Sequence, residues 1–149
     1  MKVLTITCHR PYNYGAVLQA YALQHYLESV GVETSIIDYF PDYQRKKTNV
    51  NFIVKLIWYL YRMPDFVVGK RVFGKFLKEN IRLTKQYKTL DELKSCPPMA
   101  DGIIAGSDQI WNYNIHKDDT YYLTFVTKNC FKASYAASIA QDNIPTELK

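Results

Sequence analysis

The chain has 149 residues, 48% hydrophobic and 22% charged, a balance that suits one folded domain and excludes a disordered segment. Its net charge of +5 is local: Gln44 to Lys88 holds twelve Lys/Arg against Asp65 and Glu79, while the rest holds seven basic and twelve acidic residues. A charge confined in this way argues against a nucleic-acid-binding domain.

Lys2 to Thr7 (KVLTIT) reads as a first strand, followed by a polar loop, CHRPYNYG, punctuated by Pro11 and Gly15. Ala16 to Val30 reads as a helix, with Ala16, Ala20, Leu23, Leu27 and Val30 as its apolar stripe, and Gly31 stands where a left-handed C-cap residue would. Val32 to Tyr39 is the second strand, closed by Pro41. Strand, loop, helix, glycine and strand in forty residues make a βαβ unit with parallel pairing. Asn51 to Met63 and Phe66 to Asn80 read as helices separated by Pro64. In the second, Phe66, Phe73 and Leu77 share one face, while Arg71, Lys75, Lys78 and Arg82 line another. The stretch from about 44 to 88 is therefore expected to be a basic helical insertion over the sheet edge.

Thr89 and Glu92 form a capping box for a short helix from Leu90 to Lys94, stopped by Pro97 and Pro98. Asp101 to Ala105 is a short buried strand running into GSDQIWN, Tyr121 to Phe125 is an ordered segment of open type, and Lys132 to Ile139 is a further strand. Asn143 to Glu147 reads as the start of a helix just before Lys149, which leads us to expect an incomplete domain.

The expected fold is α/β, a Rossmann-like parallel sheet with helices on both faces, and such sheets bind ligands beyond the carboxyl ends of their strands. Two loops qualify. In Cys8 to Gly15, Asn13 is a helix cap or a hydrogen-bond partner for a ligand, and Gly15 allows close backbone approach at a helix start that suits anions. In Gly106 to Asn112, Ser107, Asp108, Gln109, Trp111 and Asn112 all offer hydrogen-bonding groups directly after a buried strand. Asp108 reads as a base, a hydroxyl orienter or a helix cap, and Trp111 as a sugar-stacking ring or a core plug. His9 is the histidine best placed for acid–base work. A lone Gly15 is not a GxGxxG fingerprint, and no Cys/His/Asp/Glu spacing matches a metal site, so no cofactor is expected. Three widely spaced cysteines (Cys8, Cys96, Cys130) and the lack of a leader or a membrane-length apolar run point to the cytoplasm.

Together, NYGAVLQAYALQHYLESVG (Asn13 to Gly31), GSDQIWN (Gly106 to Asn112), YYLTFV (Tyr121 to Val126) and KASYAASIAQDNIP (Lys132 to Pro145) resemble the polysaccharide pyruvyl transferase family. The resemblance implies the amino-terminal half of a two-domain, glycosyltransferase-B-type enzyme whose carboxyl-terminal domain is absent. It implies transfer of a pyruvyl group from phosphoenolpyruvate to a pair of saccharide hydroxyls, the saccharide being lipid-linked in some settings, and a fragment inactive alone. Asn13, Gly15, Asp108 and Gln109 fall on the family's motif positions, shaping the cleft and holding the acceptor sugar. The last motif departs from the family, ending in Ile139-Ala140 where a small residue and glycine are usual. Two alternatives stay open. One is a glycosyltransferase or other sugar-modifying transferase. The other is a non-catalytic sugar- or membrane-binding module, with the basic stripe at the inner face of the membrane.

Overall fold

The computed structural model describes residues 1–10, 13–45, 67–69, 71–116 and 118–141. Five strands, β1 Lys2–Ile6, β2 Glu33–Tyr39, β3 Leu83–Tyr87, β4 Gly102–Ala105 and β5 Phe131–Ser134, form one all-parallel sheet in the order β3–β2–β1–β4–β5. The helices are α1 Tyr14–Ser29, α2 Asp42–Arg45, α3 71–80 and α4 Leu90–Ser95, and a 3₁₀ turn spans Thr120–Tyr122. The parallel α/β architecture expected from the sequence is present.

β1 lies at the centre of the sheet, so Val3, Leu4, Thr5 and Ile6 are all buried. Successive strand residues point to opposite faces, and the two cores divide accordingly. Leu4, Ile6, Ile37, Ile103 and Ala105 pack with Leu93, Ile110, Tyr121, Leu123 and Phe125. Ile36 packs on the other face with Val17 and Ala20 of α1 and with Phe73 and Ile81. Thr5 and Thr34 also sit buried in the sheet, and neither hydroxyl has a partner among the described residues. A buried, unpaired hydroxyl is destabilising, so Thr5→Val is expected to raise the unfolding free energy by about 1 kcal/mol. A denaturant midpoint that moves up at constant m-value is the check.

α1 begins at Tyr14, two residues earlier than expected, because the Asn13 side chain caps it, Oδ1 accepting the Gly15 N–H at 2.8 Å. It ends on Gly31 at φ +78°, with Gly31 N–H donating to Glu28 O and Val32 N–H to Leu27 O, the paired bonds of a Schellman ending. The inward face differs from the expected stripe. Val17 and Gln24 are buried with Ala16, Ala20 and Leu23, Leu27 is half-buried, and Val30 is exposed. Gln24 is tolerated inside because its amide donates to Asn80 O (3.2 Å) and accepts from Arg82 N–H (2.9 Å), satisfying the backbone where α3 ends.

Within the stretch from 44 to 88, the expected helix at 51–63, Pro64 and Phe66 lie outside the described residues. α3 serves as a crossover between β2 and β3, with Phe73 buried and Leu77 half-buried. Arg71, Lys75, Lys78 and Arg82 are exposed as expected, Lys75 pairing with Glu79 at 3.9 Å and Arg82 with Glu28 at 3.4 Å. β3 corrects the all-helical reading of this stretch. Its sequence, LTKQY, lacks a clean alternation because it is an edge strand with Lys85 and Gln86 exposed. Pairing of Ile36 with Leu83 and Tyr39 with Tyr87 supplies what local pattern does not.

The Thr89/Glu92 capping box forms as read: Thr89 Oγ1 accepts the Glu92 N–H and Glu92 Oε2 accepts the Lys88 N–H. β5 is shorter than expected, stopping at Ser134. Beyond it Ala136 turns at φ +48° and a single bridge joins Ala137 to Asp108. The segment of open type at Tyr121 to Phe125 is the end of the 3₁₀ turn and the turn that follows. The expected helix start at 143–147 lies outside the described residues. Among the described residues no helix is long and apolar enough to cross a membrane.

Candidate functional site

Strand addition reverses at the centre of this sheet, with β2 and β3 on one side of β1 and β4 and β5 on the other. The crevice beyond the carboxyl ends of β1 and β4 is the place where open parallel sheets hold ligands. Both polar loops named from the sequence emerge there, because β1 and β4 are adjacent and parallel.

One side chain ties the loops together, and sequence reasoning missed it. Gln19, in the second turn of α1, donates from Nε2 to Thr7 Oγ1 and to Ala16 O, each at 2.9 Å. Its Oε1 accepts from Ser107 Oγ (2.5 Å) and from Ser107 N–H (3.3 Å), while Thr7 Oγ1 donates to Ser107 O (2.7 Å). Ser107 is thus held by α1 and by the end of β1. A glutamine within an amphipathic helix carries no signal for such a role until the two strands are placed side by side.

Asp108 follows at φ +89° and half-buried. Its Oδ1 accepts the Gln109 N–H at 2.8 Å, and its carbonyl accepts the Ser138 N–H at 3.0 Å. The short helix at Gln109 that the capping alternative required does not form: the carboxylate bonds to the next residue of its own loop and stays at the rim. Gln109 is exposed and accepts from Asn112 Nδ2 at 3.3 Å. Asn112 is buried, and its Oδ1 accepts from Asn114 N–H (3.0 Å) and Gln141 Nε2 (2.7 Å), so it braces the loop. Trp111 is half-buried against the core, its indole N–H donating to Tyr121 O at 3.2 Å. Asn13 and Gly15 stand exposed at the start of α1.

His9 is 1% exposed, with Nδ1 3.1 Å from Thr7 O and Nε2 3.1 Å from Asp38 Oδ1. Both neighbours are acceptors, so the ring donates to both only when both nitrogens carry protons. Asp38, at the end of β2, also receives Arg10 Nε at 2.7 Å, a second Arg10 bond from Nη2, and Gln86 Nε2 at 3.3 Å. Burial alone would raise its pKa. The bonds from His9 and Arg10, and their charges, outweigh that and hold the carboxyl well below the usual carboxylate range. This network anchors the first loop to β2 and β3.

A second cluster was also missed. Cys8 Sγ lies 3.5 Å from His116 Nε2 and 3.8 Å from Tyr121 Oη, and the His116 and Tyr121 rings meet edge-on at 4.4 Å. Burial pushes the Cys8 thiol up to about 11, the Tyr121 bond offsetting part of this and the Asp108 charge adding to it. Burial thus disfavours the Cys8 thiolate, the form in which a cysteine acts as a nucleophile. Burial also pushes His116 down, opposed by Asp118 and Asp108. His116 sat in an unremarkable polar connection in the sequence, and only the return of that connection to the end of β1 gives it company.

No curated protein and no solved structure gives a significant match to the chain. The family model described as polysaccharide pyruvyl transferase matches residues 13–149, from the cap of α1 through the Gly106 to Asn112 loop and past β5. With the parallel sheet in place and its two motif loops meeting at one rim, the chain belongs to the polysaccharide pyruvyl transferase family.

Proposed function

We propose that the protein moves the pyruvyl group of phosphoenolpyruvate onto two hydroxyls of a saccharide, as the first domain of a glycosyltransferase-B-type arrangement. The observation that carries this reading is the Thr7–Gln19–Ser107 bridge, which fixes the Asp108 loop, part of the family match, at the rim beside the end of β1. In the reaction, the methylene carbon of phosphoenolpyruvate gains a proton and the adjacent carbon becomes cation-like. One hydroxyl adds to that carbon and releases its proton. Phosphate then departs, and the second hydroxyl closes the ketal, its proton leaving with the phosphate.

Asp108 orients the attacking hydroxyl and takes up its proton, with Gln109 and Asn13 as further partners for the sugar. Gly15 at the start of α1 leaves room beside the cap. Trp111 supplies an apolar wall, while Ser107 and Asn112 hold the loop. His9 has both ring nitrogens engaged, so its part is to fix the first loop. The donor's charged groups are assigned to a second domain, where fixed positive charge meets carboxylate and phosphate. The protein works in the cytoplasm, and a lipid-linked acceptor would bring it to the inner membrane face.

The test is phosphate release by the full-length gene product given phosphoenolpyruvate and a saccharide acceptor. Asp108→Asn keeps the turn geometry and removes the base, so kcat/KM is expected to fall about 10²-fold. Release of nucleotide from sugar nucleotides with no phosphate from phosphoenolpyruvate would overturn pyruvyl transfer.

A further inference from the structure

Beside the rim, on the side of the 3₁₀ turn, lies a cavity of about 280 Å³. Its walls include Trp111, Tyr113, His116, Asp118, Asp119 and Tyr122. The volume is below the range typical of drug-sized ligands, about 300–1,000 Å³, and suits one ring. The Trp111 and Tyr122 rings are 17° from parallel with centroids 6.1 Å apart, and Tyr122 is 53% exposed. The indole N–H is already spent on Tyr121 O, so Trp111 offers an apolar face and no free edge. Among the described residues, the carboxylates in its wall are Asp118 and Asp119. Asp118 is engaged by Tyr39 Oη and Thr120 N–H, whereas Asp119, exposed at the head of the 3₁₀ turn, makes no side-chain cap bond.

An aromatic wall facing hydroxyl-accepting carboxylates fits a pyranose, whose C–H face packs on rings while its hydroxyls donate. Two carboxylates also disfavour an anion such as phosphoenolpyruvate. Trp111 belongs to the same loop as Asp108, and His116 in the cavity wall lies 3.5 Å from Cys8 Sγ just beyond the end of β1. The cavity therefore adjoins the rim to which the acceptor is assigned above.

We propose that this cavity is a second saccharide subsite, holding a neutral hexose unit next to the one that reacts, so that the acceptor is recognised as a disaccharide or longer. This rests on the acceptor role given to the rim above and adds a length preference that the rim alone does not supply.

The experiment is calorimetric titration of the full-length gene product with glucose, galactose, maltose and lactose. Stacking and one added hydrogen bond are expected to make a disaccharide bind about 10-fold tighter than its matching monosaccharide. Tyr122→Ala should bring that ratio close to one, Tyr122→Phe should keep it, and Asp119→Asn should reduce it. Tyr26→Ala, at an exposed tyrosine on α1, should leave the ratio unchanged. Equal binding in the unaltered protein overturns the subsite, as does a ratio indifferent to Tyr122→Ala and Asp119→Asn, or no binding by any of the four sugars. Failure of the pyruvyl reading is separate: it shows as no release of phosphate from phosphoenolpyruvate, whatever the length preference.

Discussion

Asp38→Ala is expected to lower the unfolding free energy by about 3 kcal/mol, because it strips the carboxylate from a buried cluster and leaves His9 without its partner. The His9 side chain is fully buried, whereas Arg10 is about one-third exposed and can turn its charge to water, which holds the effect near the lower end for broken buried pairs. Urea titration of the variant at neutral pH reads the difference directly, and a loss under about 1 kcal/mol would mean that the pairing behaves as a surface one. The pH dependence has a definite sign. Asp38's folded pKa is depressed, so its stabilisation is present in full above the ordinary carboxylate value near ~4 and is lost as pH falls toward the depressed one. The unaltered protein should lose this increment on acidification, while Asp38→Asn, already without it, should show a flatter stability profile below that point. Because the cluster carries the loop that leads to Asn13, the same variant should also weaken acceptor binding.

Gly106→Ala should cost about 3–5 kcal/mol, which is exceptional for adding one methyl group. Gly106 sits at φ +129°, and a Cβ built there would lie 2.0 Å from the Tyr135 carbonyl oxygen, a backbone atom that cannot swing aside. Making room means moving the chain beyond β5. That breaks the Tyr135 N–H bond to Ala105 O and disturbs the Ser138 bonds to Asp108 and Trp111. Gly31→Ala is the internal comparison. It has a similar left-handed backbone, φ +78°, but nothing within 4 Å, so about 1 kcal/mol is expected. If thermal unfolding shifts equally for the two variants, contact with Tyr135 is not what requires glycine at 106.

How much was legible varied with the range of the interactions involved. The start and stop of α1, the Thr89/Glu92 box, and β1, β2 and β4 were readable because capping and strand preferences act between residues close in sequence. β3 was not, since an edge strand with exposed Lys85 and Gln86 is defined by its neighbour β2 and not by its own pattern. Gln24 was missed in the interior for a similar reason, its partners lying more than fifty residues away at Asn80 and Arg82.

The candidate site divides in the same way. Asn13, Gly15 and the GSDQIWN loop stood out as polar runs after strands, and together with the later motifs they were enough to suggest the family. Composition, capping and motif order needed no partner from elsewhere in the chain. Gln19 and His116 gained meaning only when parallel pairing set the end of β4 against the end of β1 and turned residues about a hundred positions apart into neighbours. A hydrogen bond or a ring contact depends on separation in space, and that separation exists only once the sheet has closed.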